Sequence, residues 1–222
     1  MPLNATALVE SVIVALAALL PIVNPLGSAP IFLSMTADLP GDSRRRLAGA
    51  VARNAFLLLT SAMLIGSHVL QLFGISVPIV RVAGGLLVTA NGWRMLNTED
   101  HQPETRPQVT DAWEREVARR AFYPLTFPLT VGPGSVSIAI TLGAQITGGG
   151  ASAALKVLID LVAVAIVSIA VYLSYRFASR LIAFLGETGT SIFTRMSSFI
   201  LLCVGVGIVW SGVLGLVEPL IH

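Results

Sequence analysis

The sequence predicts an all-α membrane protein: six transmembrane helices arranged as two inverted three-helix repeats, with proline-broken helices at the centre. Three observations carry that prediction. The 222-residue chain is 55% hydrophobic and only 12% charged, roughly half the charge fraction of a soluble domain. Its apolar residues gather into six runs, each close to the ~20 residues a helix needs to cross a bilayer. Two of the runs carry prolines in the same register. PIVNPLGSAP holds Pro21, Pro25 and Pro30, and PLTFPLTVGP holds Pro124, Pro128 and Pro133, 103 positions later.

The first run extends from about Ala5 to Leu26 and continues past an Asn-Pro-Leu-Gly break to Met35. The second covers Leu47 to Phe73, and the third begins near Val77 and closes at Trp93 to Leu96. Residues Asn97 to Arg120 hold ten of the chain's 26 charged residues (14 basic, 12 acidic). That segment divides the chain into a first repeat (1–96), a linker (97–120) and a second repeat (121–222). The later runs are Ala121 to Ile146, Ala153 to Phe177 and Ile192 to Val217. With three spans in each half, the second half enters the membrane from the opposite side, the arrangement of many carriers. A weaker echo supports the repeat: Arg81 follows Gly74, and Arg195 follows Gly186, each near the start of a third span.

Basic residues set the orientation. Twelve of the 14 flank the first, third and fifth inter-span loops, and only Arg81 and Lys156 lie near the other face. The linker is therefore expected in the cytoplasm and both termini outside. The N-terminus has no positive stretch ahead of its apolar run, so no removable signal peptide is predicted. The arginines sit beside spans without interleaved aromatics, which argues against nucleic acid as a partner. A single cysteine, Cys203, rules out a disulfide framework.

The prolines mark the candidate site. A helix in lipid has no water to satisfy the carbonyls that proline leaves unpaired, so broken backbone belongs where it lines a cavity or is covered by protein. At the first break, Pro25 removes a donor and Gly27 permits unusual dihedrals. Ser28 is expected to cap a half-helix running from Ala29 to Met35, with Pro30 in its first turn. Such an N-terminus offers N–H groups and a positive dipole end to a carboxylate. The second break, Gly132-Pro133-Gly134-Ser135, offers the same device, its glycines allowing a ligand close approach. Asn24 can both donate and accept, and Thr126 and Thr130 share a face if their segment stays helical. Elsewhere the readings are structural: Lys156 and Asp160 pair on one helix face, Asn54 and Asn91 serve packing, Arg81 and Arg195 snorkel to headgroups, and His68 is interfacial. No metal-ligand spacing or catalytic motif is present, so neither an enzyme nor a cofactor is expected.

At the two breaks and at Gly74-Ile75-Ser76…Arg81-Val82-Ala83-Gly84-Gly85, the chain resembles the MarC family of bacterial integral membrane proteins. The Asn24-Pro25-Leu26-Gly27 segment matches the N-P-x-G of that family. PLTFPLTVGPG matches its P-L-x-x-P-L-x-x-G-P-G, with one residue more before the Gly-Pro-Gly. The resemblance implies six spans in the bacterial inner membrane and a relation to transporters and exporters of small neutral amino acids. The expected partners are then a small zwitterion, membrane lipids and, as one option, further copies of the chain. Two rivals stand beside this reading. An aquaglyceroporin-like channel shares six spans and paired half-helices but needs Asn-Pro-Ala in both halves, and Phe127 stands where Asn24 would recur. A lipid-handling or interaction protein without transport would pack its breaks with no cavity between them.

Overall fold

The computed structural model describes residues 5–37, 39–97, 120–146 and 151–221. The linker expected between the halves, and the loop before the fifth run, lie largely outside these residues. Helix α1 (Ala5–Val23) is followed after one residue by α2 (Pro25–Met35), and then by α3 (Gly41–Leu72) and α4 (Val77–Asn97). An irregular wound segment (Ala121–Thr130) leads into α5 (Pro133–Ala144), α6 (Ala151–Arg176) and α7 (Ala178–Ile221). The described residues are thus almost entirely helical, as the composition predicts. Four helical stretches are long and apolar enough to cross a membrane. A fifth arises if the wound segment and α5, bent by 73° at their junction, count as one span. Helix α4 has the length of a span, but Arg81, Asn91, Arg94 and Asn97 lower its apolarity.

Polarity is arranged as for a protein solvated by lipid. The interior holds Leu19, Phe32, Leu47, Leu59, Met63 and Tyr175, all fully buried, while large apolar side chains such as Ile65, Leu158, Ile169 and Trp210 face outward. Helix α6 runs beside α1, α2 and α3, and α5 lies against α3 and α4. Asp160 is buried on α6, and its carboxylate accepts from the Lys156 ammonium at 2.6 and 2.7 Å. The pairing expected of these two residues is therefore formed, one turn apart.

The most extensive seam joins α4 to α7, antiparallel, and it is built on glycine. A methyl group added at Gly85 would lie 2.7 Å from the Val209 nitrogen, and one at Gly92 would lie 2.7 Å from the Leu202 nitrogen. From the other side, a methyl at Gly212 would meet Val82 at 2.7 Å. Small residues let two backbones touch where lipid offers no hydrophobic drive to hold helices together. Each third run is also preceded by a glycine with φ of 68°, Gly74 ahead of α4 and Gly186 within α7, a conformation that costs glycine nothing. At Gly186 the helix breaks, setting a short leading piece apart from the apolar stretch Thr188–Glu218.

The seam makes a prediction. Gly92→Ala forces two backbones apart and should destabilise the purified protein by about 1–3 kcal/mol, the usual cost of overpacking. Gly207→Ala, on the same helix α7 with nothing within 4 Å, should leave the thermal unfolding midpoint in detergent unchanged. Equal midpoints for both variants would mean that α4 and α7 are not held at backbone contact.

Candidate functional site

Both breaks begin with the same steric rule, that a residue before proline is driven out of the right-handed helical region. Their outcomes differ because the residues differ. Ahead of Pro25 stands Asn24, which takes the left-handed conformation (φ 45°, ψ 57°) that Asn tolerates better than most residues. The break is thereby confined to one residue. The Asn24 side-chain oxygen accepts from the Gly27 N–H at 3.2 Å, and its backbone carbonyl accepts from the Ser28 N–H and hydroxyl, both at 3.0 Å. Asn24, not Ser28, is the N-cap, and α2 begins four residues before the expected Ala29. Pro30 falls inside that helix rather than in its first turn. The Ser28 N–H is already taken, so the carboxylate site expected there is closed by the chain's own backbone. A methyl at Gly27 would collide with the Asn24 amide, which makes Gly27 a requirement of the cap.

Ahead of Pro124 and Pro128 stand Tyr123 and Phe127, whose bulk excludes the left-handed region, and both are extended (φ −122° and −118°, ψ 124°). Their peptide bonds to proline are cis. The unit aromatic-Pro-Leu-Thr occurs twice here and makes the same bond twice. The Thr126 hydroxyl donates to the Ala121 carbonyl and the Thr130 hydroxyl to the Leu125 carbonyl, each at 2.6 Å. Each threonine thus satisfies the carbonyl three residues before its own proline. The segment does not stay helical, so Thr126 and Thr130 do not share a helix face in the expected way, although both are buried.

Helix α5 starts at Pro133 after Gly132, and no side chain caps it. Its first backbone bond runs from the Val136 N–H to the Gly132 carbonyl at 3.1 Å, which leaves the Gly134 and Ser135 N–H groups as first-turn donors. The Ser135 hydroxyl is turned back onto the Gly132 carbonyl at 2.9 Å. An added methyl at Gly134 would strike Val88 of α4, so the missing side chain admits the close approach of α4. Close beside it the Ser137 hydroxyl donates to the Val80 carbonyl at 2.8 Å, so this turn of α5 is fitted to α4. Gly132 has more room, its nearest neighbour the Pro128 carbonyl at 3.4 Å.

The two breaks meet at a cavity of about 470 Å³, within the roughly 300–1,000 Å³ usual for small-molecule sites. Asn24, Ser28, Thr130, Gly132, Pro133, Gly134 and Ser135 line it, whereas Pro25, Gly27 and Thr126 support the breaks from behind. The Asn24 amide nitrogen is one of two buried side-chain polar atoms without a partner among the described residues. Such an orphan donor costs about 1–3 kcal/mol unless something fills the role. Arg94 is the one charged residue among the described residues that line the cavity.

Three contributors escape sequence reasoning. Asn91 and Arg94 of α4 line the cavity together with Met35 and Met95, so Asn91 serves the cavity where packing was expected. Tyr175 of α6, completely buried, stacks on Phe32 of α2 with ring centroids 4.3 Å apart. Its hydroxyl meets the Thr130 hydroxyl at 2.8 Å and also interacts with Ser28, tying one break to the other. A tyrosine at the end of an apolar run ordinarily reads as interfacial, which hides this role. Asn54 lies apart, in a groove on α3 with Ser61 and Phe122. Arg81 is half-buried and donates to the Thr141 hydroxyl at 3.4 Å rather than reaching only for headgroups. Arg195 and His68 are exposed, as expected.

The profile of the MarC family integral membrane proteins matches residues 9–217 of this chain. The chain belongs to the MarC family. A relative from Citrobacter koseri, named inner membrane protein MarC, is 30% identical over 208 residues, covering 91% of this chain and 94% of its own. Proteins of the same name from Salmonella typhimurium strain LT2 and Escherichia coli O157:H7 are 29% identical over the same share of each chain. No solved structure matches the chain. The family extends across both breaks and the cavity between them.

The tie between the breaks is open to test. Tyr175→Phe keeps the stack on Phe32 and removes the hydroxyl from Thr130, and should lower stability by about 0.5–1.5 kcal/mol. Thr130→Val removes the bond to the Leu125 carbonyl as well as the hydroxyl pair and should cost more, about 1–3 kcal/mol. Thermal unfolding in detergent orders the two. A Thr130→Val protein no weaker than Tyr175→Phe would show that the threonine is not needed by the backbone.

Proposed function

We propose that this MarC-family protein is a secondary transporter or exporter of small neutral amino acids in the bacterial inner membrane. The observation that carries the reading is the cavity where two broken segments meet, lined by the uncapped start of α5 and by Asn24, whose amide nitrogen is buried without a partner. Discontinuous helices meeting at a small polar cavity are how many carriers hold a charged solute. The substrate carboxylate takes the Gly134 and Ser135 N–H groups, favoured by the helix dipole and by Arg94. The Asn24 amide donates to the same end. The Asn91 side-chain oxygen is the acceptor nearest to hand for the ammonium.

In this reading the wound segment with α5 is the fourth span and α4 the third, giving six in two inverted repeats. The packing pattern supports it. The second span of each half packs on the broken span of the other, the two second spans pack together, and so do the two third spans. The left-handed glycines before each third span add to this. Both termini lie outside and the 97–120 linker lies in the cytoplasm, so the cavity runs from the breaks toward the cytoplasmic ends of α2 and α4. Rocking one repeat against the other moves the opening to the far side.

Counterflow of labelled alanine, glycine or serine into proteoliposomes tests the transport. Saturable counterflow is expected of a carrier; flux without saturation fits a channel, and none at all fits a protein that does not transport these solutes. Asn24→Ala should reduce counterflow several-fold, the value of one lost hydrogen bond of about 1 kcal/mol. Gly132→Val, which fills the cavity wall, should abolish it, and Gly207→Val on the exposed face of α7 should not. The orientation has its own check. With Cys203 replaced by Ala, a cysteine at Thr110 should resist an impermeant thiol reagent in intact cells and one at Gly149 should react. The reverse pattern would overturn both the topology and the repeat.

A further inference from the structure

Away from the cavity, the Arg176 end of α6 gathers cations around two aromatic rings. The Tyr172 hydroxyl accepts from Arg176 at 2.9 Å, and Arg45 of α3 lies near enough to act electrostatically on the same hydroxyl. The Arg176 guanidinium lies 5.7 Å from the centroid of the Tyr172 ring and 5.3 Å from that of Phe177. Arg180 approaches the same Phe177 ring from α7, at 5.6 Å. Among the described residues, no carboxylate pairs with Arg45, Arg176 or Arg180. Two guanidiniums on one phenol and two on one ring repel each other, and an anion placed among them relieves both contacts. Arginine is suited to that role because its planar fork binds phosphate in a bidentate manner.

The position of the cluster selects the kind of anion. Arg176 is the last residue of an apolar span, Ser152–Arg176, which puts the cluster at headgroup depth. Below it on α6, Leu158, Val162, Ile166, Ile169 and Leu173 recur at helical spacing and are each 39% exposed or more. A polar anion site continued by an apolar stripe fits a phosphate that carries acyl chains. We propose that Arg45, Arg176 and Arg180, with Tyr172 and Phe177, form a headgroup site for an anionic phospholipid whose chains lie along α6. The site is separate from the cavity and independent of what the cavity carries. Because α3, α6 and α7 all contribute to it, the bound lipid joins the first half of the chain to the second.

Native mass spectrometry of the full-length protein in detergent provides the test, with phosphatidylglycerol, phosphatidylethanolamine and inorganic phosphate as matched probes. Phosphatidylglycerol should be retained at collision energies that strip phosphatidylethanolamine, and phosphate at the same concentration should not displace it. Arg176→Gln and Arg180→Gln should each weaken phosphatidylglycerol about fivefold, near the value of one arginine at an anionic surface. Arg195→Gln, exposed on α7 away from the rings, should have no effect. Equal retention of the two lipids, or unchanged binding in both variants, would overturn the proposal. Displacement by free phosphate would assign the cluster to a soluble anion, and an equal loss in Arg195→Gln would reduce it to diffuse charge. Arg180 touches only an exposed ring, so its variant remains informative should Arg176→Gln fail to fold.

Discussion

The structure depends on how its prolines are made tolerable in an apolar interior. Each proline within a span removes an N–H and strands a carbonyl, and lipid supplies no donor in exchange. The chain answers locally. Asn24 caps with its side chain what its own left-handed backbone has broken, and Thr126 and Thr130 return donors to Ala121 and Leu125. Only when these local bonds are made can two irregular segments lie side by side without leaving buried polar groups bare. The cavity is what remains between them. Its position follows from the prolines, and its polarity follows from the donors that this local repair does not use up.

Much of that was legible in the sequence, and the part that was not has an identifiable cause. Matched prolines located both breaks, because proline acts on the residue beside it whatever the tertiary context. Where each helix restarts was less legible. Equal spacing suggested equal breaks, yet α2 restarts at Pro25 and α5 at Pro133, which are Pro25 and the counterpart of Pro30 in the shared register. The difference lies in the residue before the proline. Asparagine turns in one step, while Tyr123 and Phe127 must extend. The roles of Tyr175, Asn91 and Arg94 were out of reach, since they depend on which face of α6 or α4 turns toward residues far away in sequence. Gly134 was expected to admit a ligand, and the neighbour that its missing side chain admits is Val88 of α4.

The unequal breaks make the cavity asymmetric in a way that the matched prolines alone do not suggest. At the first break the donors of the new helix are consumed by Asn24, whose amide nitrogen is left buried without a partner beside the cavity. At the second, the start of α5 stays uncapped because Gly132 has no side chain with which to close it. One half presents a side-chain amide and the other a backbone dipole, with Arg94 nearby. The amino acid proposed as substrate would bring its compact carboxylate to both at once. A symmetric pore of the Asn-Pro-Ala kind would instead place the same amide twice.

The contacts also rank the parts by how readily they could separate. Helices α4 and α7 touch backbone to backbone at successive glycines, and α5 is fitted to α4 through Gly84, Gly134 and Ser137. Opening such a seam exposes close-packed surface along its whole length, so these three helices form one unit. On the opposite wall α2 is fastened to α6 by the stacked rings of Phe32 and Tyr175. Helix α3 packs on both α5 and α6 and so bridges the two walls, and the Tyr175 hydroxyl adds a bond to Thr130 between them, one that contributes about 0.5–1.5 kcal/mol. That is small beside the packing on either side of it, and within reach of what a bound ligand can supply by its preference for one state over another. In the proposed transport cycle, this hydroxyl pair is the tie most easily broken, and the glycine seam of α4 and α7 stays intact.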